Sequence, residues 1–199
     1  MRKLTYLLFM SLIFIKVDAQ TSTSKYAANV NSSPILSVPV FSDSDQGVLD
    51  ALNWVRQNPK QFIQKVLLNP DFEKFVPANE RDGFYNSLIR DLYKAEPIRT
   101  SIRFDDELYG YAACHARTSG ELGVLSHERV SSACAKNFSA ECIAYGPNNP
   151  LIIVFNLLVD EGNPDLGHRK ILLSNKYTRA GVSIQPHSTY RYNCVIDLK

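Results

Sequence analysis

The stretch Ala180-Gly181-Val182-Ser183-Ile184-Gln185-Pro186-His187-Ser188-Thr189-Tyr190-Arg191-Tyr192-Asn193-Cys194-Val195-Ile196-Asp197-Leu198 reads as two strands, 180–185 and 190–198. Both are rich in β-branched and aromatic residues, and Pro186-His187-Ser188 marks a longer hairpin loop between them. Working back from this hairpin, the apolar repeat changes from two residues to helical spacing. Pro150 follows Asn149 and opens an apolar helix over 151–160 that Gly162-Asn163-Pro164 stops. Residues 167–173 form a further turn of helix, and 141–145 is a short strand candidate ending at Gly146-Pro147. Helices in front and strands behind indicate an α+β domain instead of a doubly wound parallel sheet.

Further toward the amino terminus, Asp105 or Asp106 caps a helix that runs to the Gly120–Gly123 region, with Leu108, Tyr111, Ala112 and His115 on one face. Phe84, Leu88, Ile89 and Leu92 stripe a helix over 80–94. Val48, Leu49, Leu52, Val55, Phe62, Ile63, Val66 and Leu67 recur at helical spacing but are interrupted at Asn58-Pro59, so this region is two helices or one bent one. Residues 124–139 lack any sustained period and read as a long loop of the kind that tends to carry function.

Residues 1–19 have the form of a secretory signal: Arg2 and Lys3, an apolar run from Leu7 to Ile15, and Val17-Asp18-Ala19 before Gln20. The run is too short to span a bilayer, and no later segment resembles a transmembrane helix. The expected organisation is a signal at 1–19, a Ser/Thr/Asn-rich linker at 20–46 and a single domain at 47–199. Removing 1–19 takes three of the 22 bases and one of the 20 acids, which leaves the remainder formally neutral and without a Lys/Arg cluster that could track a phosphate backbone. Nucleic acid is therefore excluded as a partner. Cys114, Cys134, Cys142 and Cys194 all follow the signal, and an even count in an exported chain suggests two disulfides, with three connectivities open. No C-x-x-C pair supports a zinc knuckle.

His127, Glu141, Asp160 with Glu161 beside it, and His168 combine two imidazoles with carboxylates, a set able to hold a divalent cation or one another. Spacing alone makes this a weak signal. Other residues have plainer readings. His115 is a core or cleft-edge histidine, His187 a solvated turn residue, and Glu128 with Arg129 an exposed ion pair worth under about 1 kcal/mol.

The surrounding sequence is more specific. Leu125-Ser126-His127-Glu128-Arg129, Ser139-Ala140-Glu141-Cys142-Ile143-Ala144-Tyr145-Gly146, and the run from Leu157 through Asp160-Glu161-Gly162-Asn163-Pro164-Asp165-Leu166-Gly167-His168-Arg169 to Leu173 resemble the CAP superfamily. This superfamily comprises cysteine-rich secretory proteins, venom antigen 5 proteins and plant pathogenesis-related proteins of group one. The Gly-His-Arg segment after an acidic helix end looks like the bacterial-type branch. Leu52-Asn53-Trp54-Val55-Arg56-Gln57-Asn58-Pro59 and Phe104-Asp105-Asp106-Glu107-Leu108 are similar to the family's first helices, and the resemblance covers about 47–198.

The resemblance implies a three-layer α/β/α sandwich of the CAP type. It also implies a cleft built from His127, Glu141, Asp160 or Glu161, and His168, with His127 and His168 as ligands for zinc or another divalent metal. Here the family's Gly-Glu-Asn has become Ala140-Glu141-Cys142, which keeps the carboxylate and places a cysteine available for a disulfide after it. The implied function is a secreted binding module, extracellular or periplasmic if bacterial, for a lipid, sterol, glycan or metal. The alternative is a peptidase-like hydrolase using a His/Glu pair or a metal-activated water. No Gly-x-Ser-x-Gly elbow or His-Glu-x-x-His helix supports that alternative.

Overall fold

A computed structural model describes residues 38–70, 83–134 and 136–199. The signal and most of the linker expected at 1–46 lie outside these residues, and so does the start of the helix expected over 80–94.

Ser44 opens the first helix, α1 (Asp45–Gln57), because its extended backbone lets the hydroxyl accept the Gly47 N–H at 3.1 Å. Val48, Leu49, Ala51, Leu52 and Val55 form its buried stripe. Asn58-Pro59 ends it as expected. A one-turn helix α2 (Pro59–Phe62) follows and loosens into a π-helical stretch at Ile63–Leu67. The lead-in is docked and not free, since Phe41 meets Trp54 at 6.1 Å and the Asp45 carboxylate accepts the Ile184 N–H. α3 (Gly83–Lys94) buries Tyr85, Leu88 and Leu92.

Strand β1 (Arg103–Phe104) leads into α4 (Asp106–Leu122), where Asp105 caps the Leu108 N–H at 3.0 Å. Gly123, with φ of 66°, closes it in the left-handed conformation that glycine adopts without strain. Strand β2 (Ala140–Tyr145) precedes α5 (Pro150–Val159), whose Asn149 caps the Ile152 N–H. Apart from Asn156, every residue of α5 is buried, as its apolar circumference requires. α6 (Gly167–Leu172), β3 (Arg179–His187) and β4 (Arg191–Leu198) complete the chain.

The sheet order is β1-β3-β4-β2, with β1 parallel to β3 and the remaining pairs antiparallel. Alternation along the strands sends Cys142, Ala144, Ala180, Val182, Cys194, Ile196 and Leu198 to one face, where they join α1, α3 and α5 in the main core. Ile143 and Val195 point the other way, against Ala112 and Ala116 of α4. The result is a three-layer α+β domain. α4 lies close on β3 because glycine stands at both crossing points: a Cβ on Gly181 would fall 1.9 Å from the Tyr109 nitrogen, and one on Gly120 would fall 2.2 Å from the Pro186 oxygen. No helix among the described residues is long and apolar enough to cross a membrane.

The cysteines correct the expectation of two disulfides. Cys114 on α4 bridges Cys134 with Cα atoms 5.5 Å apart, but Cys142 and Cys194 are buried free thiols. Cys142 stands opposite Ile196, and Cys194 opposite Ala144, so the two thiols are diagonal neighbours on one face. Diagonal positions are about 7–8 Å apart, beyond the usual reach of a disulfide. Burial raises both thiol pKa values, which keeps them inert. Thiol titration of the native, unreduced protein is expected to find no reactive cysteine, and titration in denaturant to find two. Two reactive cysteines before denaturation, or none after it, would contradict this arrangement.

Candidate functional site

The face of the sheet that carries α4 over β3 and β4 leaves β2 at its side, and the described residues of the expected loop 124–139 run there without helix or strand. Three ties hold this loop. The Cys114–Cys134 bridge fastens it to α4, the buried His115 ring pairs its Nε2 with the Ser126 carbonyl at 2.9 Å, and the Ser139 N–H donates to Leu198. His115 is thus a core residue that sets the path of the loop.

His127 leaves the loop beside Glu141 of β2, and its Nδ1 lies 2.9 Å from Glu141 Oε1. The other oxygen of Glu141 takes a hydrogen bond from Arg129, whose second guanidinium nitrogen reaches Asp197 Oδ2 at 3.1 Å. The expected Glu128–Arg129 surface pair does not form. Glu128 lies 3.6 Å from Lys136, and the Arg129, Glu141 and Asp197 side chains are only 6%, 4% and 0% exposed. Glu141 and Asp197 are directly opposed across β2 and β4, a register that puts two carboxyl groups in one buried space, where a retained proton and a neighbouring cation relieve the repulsion. Arg129 is that cation, supplied by the loop.

Burial pushes Glu141 toward neutrality, but hydrogen bonds from His127 and Arg129 outweigh it and hold the carboxyl below its ordinary range. Asp197 goes the other way. Burial and the neighbouring Glu141 charge push it up to about 8, so at neutral pH it keeps a proton. A carboxyl whose folded pKa exceeds its unfolded value contributes stability that is complete below pH 4 and is lost as pH rises through about 8. Asp197→Asn is therefore expected to flatten the decline in urea midpoint between pH 5 and pH 9. An unchanged slope in that variant would exclude Asp197 as its source.

The second histidine is held by backbone geometry. Asp160 (φ 56°), Gly162 (φ 81°) and Leu166 (φ 51°) all adopt left-handed conformations, folding the chain back between α5 and α6. This return brings the Asp160 carboxylate to the His168 N–H at 2.9 Å and the Arg169 N–H at 3.4 Å, while Asp160 Oδ1 pairs with His168 Nδ1 at 2.8 Å. Burial of Asp160 is outweighed by these bonds, which keep it ionised. Of the two acids left open by the sequence, Asp160 is the one that orients His168; Glu161 is half-buried in the following turn. Arg169 anchors the same return from below, donating to the carbonyls of Leu158, Val159 and Phe84 and pairing with Asp91.

The two histidines face each other with ring centroids 6.2 Å apart. A carboxylate on each Nδ1 makes that nitrogen the donor and leaves the Nε2 lone pair of the neutral ring available. Among the described residues no three His, Cys, Asp or Glu side chains converge as ligands. The carboxylates are thus turned to the back of the rings, and the protein offers two imidazole donors. Beside them lies a cavity of about 260 Å³ lined by Leu125, Ser126, Ile143, Tyr145, Tyr190 and the two histidines. His187 is not solvated as its turn-like sequence suggested. It is buried in β3, 5.4 Å from both Tyr145 and Tyr190, with Nδ1 accepting the Thr189 and Tyr190 N–H groups.

The chain matches the model of the CAP family, described as the cysteine-rich secretory protein family, over residues 49–198. It belongs to the CAP family. No curated protein and no solved structure matches it. The matched span holds every residue of the paired histidine site, and the mixed sheet between helical layers is consistent with the CAP fold.

Asp197, Ile143, Tyr145 and Tyr190 were not singled out by the sequence reading, and Arg129 was read only as half of an exposed ion pair. For Asp197, Ile143 and Tyr145 the period-two pattern of β2 and β4 was the available hint, because it puts Glu141 and Asp197 on the same side as Ile143 and Val195 once the register is known.

Proposed function

We propose that this CAP domain is a ligand-binding module acting outside the cytoplasm, with a divalent cation such as zinc held by Nε2 of His127 and Nε2 of His168. The observation that carries this reading is the pairing of each imidazole with its own carboxylate on the Nδ1 side. Carboxylate-bound histidines are the usual ligands of zinc, since the outer carboxylate fixes the tautomer and raises the basicity of the coordinating nitrogen. Two protein donors leave the remaining tetrahedral positions open to water or ligand. The Cys114–Cys134 disulfide and the signal-like sequence at 1–19 support an oxidising compartment.

A hydrolytic role has less support. The Ser126 hydroxyl accepts the Glu128 N–H at 2.9 Å in a local turn, so it is engaged away from the neighbouring imidazole. Zinc titration by calorimetry on the protein and on the His127→Ala/His168→Ala double variant tests the site. Binding is expected in the first and a loss of at least about 10-fold in the second. Coordination needs neutral imidazole, so affinity should also fade as pH drops toward 5. Equal zinc affinity in both proteins would overturn the assignment.

A further inference from the structure

The 260 Å³ cavity beside the histidines has a mixed lining, in which the two imidazoles and Ser126 are joined by Leu125, Ile143, Tyr145 and Tyr190. The Tyr145 and Tyr190 rings are 5.9 Å apart, and His187 packs against both. Tyr145 and Tyr190 are only half-buried, so each retains an uncovered surface, while the strand β2, the hairpin and the tied-down loop fix their positions. Such a wall favours a flat apolar group, since aromatic pairs gain beyond simple area burial. The cavity volume of about 260 Å³ accommodates one ring.

Charge selects the other half of the ligand. Arg129 offsets Glu141, and Asp160 contributes one negative charge beside His168. A divalent cation on the two imidazoles would then leave about one positive charge beside the cavity, where water also reaches because the His127 side chain is 59% exposed, and an anionic ligand would offset that charge.

We infer that the cavity takes a small monoanionic aromatic carboxylate, whose carboxylate completes the coordination of a cation on His127 and His168 while its ring lies among Leu125, Ile143, Tyr145 and Tyr190. This rests on the metal-binding reading above. The shared chemistry, a carboxylate two or three bonds from an aromatic ring, is found in free aryl acids and at the carboxy terminus of a peptide ending in an aromatic residue.

Calorimetry on the zinc-loaded full chain with 3-phenylpropionate, propionate and 3-phenylpropionamide tests it. Phenylpropionate should bind at least about 10-fold more tightly than either of the other two, the scale expected for burying one ring and for losing one charged ligand. That preference should shrink in Tyr190→Ser and in Leu125→Ser; the loop position of Leu125 keeps the test valid if the hairpin variant fails to fold. N-acetyl-phenylalanine binding as tightly as phenylpropionate would assign the site to peptide termini, and weaker binding would assign it to free acids. Zinc binding with equal affinity for the three probes, or a ring preference that survives both substitutions, would overturn this inference alone. Absence of zinc binding would overturn it together with the reading beneath it.

Discussion

Arg129→Met is expected to lower the unfolding free energy by about 3–5 kcal/mol at pH 7, the scale for removing one partner of a buried ion pair. Arg129 lies between Glu141 and Asp197, which are directly opposed on β2 and β4, and all three side chains are almost wholly shielded, so solvent screening offers no discount. Without the guanidinium, Glu141 keeps its His127 contact but faces Asp197 across a dry gap. Glu141 must then favour protonation as well, beside an Asp197 that already keeps its proton at pH 7. Glu141 in the intact protein is held below its ordinary range, so its stabilising contribution is present above that range and lost as pH falls. The variant lacks that contribution, and the difference between the two proteins should narrow from pH 7 toward pH 4. Arg129→Lys keeps the charge but cannot span both carboxyls with a planar fork, and should recover only part of the loss. Urea melts of the three proteins at pH 7 and pH 4.5 check the ordering. A penalty under about 1 kcal/mol for Arg129→Met at pH 7 would show that the trio is a surface pair in solution.

Gly181→Ala should be at least as damaging, with a loss of more than about 3 kcal/mol or failure to fold. The added methyl would meet the Leu108 carbonyl carbon at 2.0 Å and the Tyr109 nitrogen at 1.9 Å. Both are backbone atoms of α4, so relief requires moving the helix off the sheet, not turning a side chain. α4 carries Cys114 and His115, which tie down the loop bearing His127, and any folded Gly181→Ala protein should therefore bind zinc more weakly as well. Gly110→Ala is the control on the same helix. Its Cβ would meet nothing within 4 Å, and the change should add about 0.5–1 kcal/mol of stability through helix propensity. Thermal melts and a zinc titration on both variants settle the matter. A Gly181→Ala protein within 1 kcal/mol of the parent would mean that the helix does not approach the strand as closely as described.

Much of the architecture was legible in residue order because its signals are local. Asp105 and Asn149 carry cap chemistry within three residues of the N–H groups they satisfy, and Pro59 and Gly123 mark helix ends through their own backbone preferences, whereas the Ser44 cap fell inside the stretch read as linker. The hairpin's strands were recognised from composition, although β3 extends to His187 where a turn was expected, because the ring finds a buried place against Tyr145 and Tyr190. His127, Glu141, Asp160 and His168 were named from their motifs, and the structure brings them together as two His/acid pairs.

What the residue order could not supply are relations across strands and loops. Whether Cys142 bridges Cys194 depends on a two-residue offset in the pairing of β2 with β4. Arg129 resembles a surface base until Glu141 and Asp197 are set opposite each other by that same register, and Asp160 was separated from Glu161 only by three left-handed residues that turn one carboxylate toward His168. Caps, breaks and periodicities are properties of a few neighbouring residues and survive in the sequence. Register, burial and charge compensation come from residues tens of positions apart and exist only once the layers have closed.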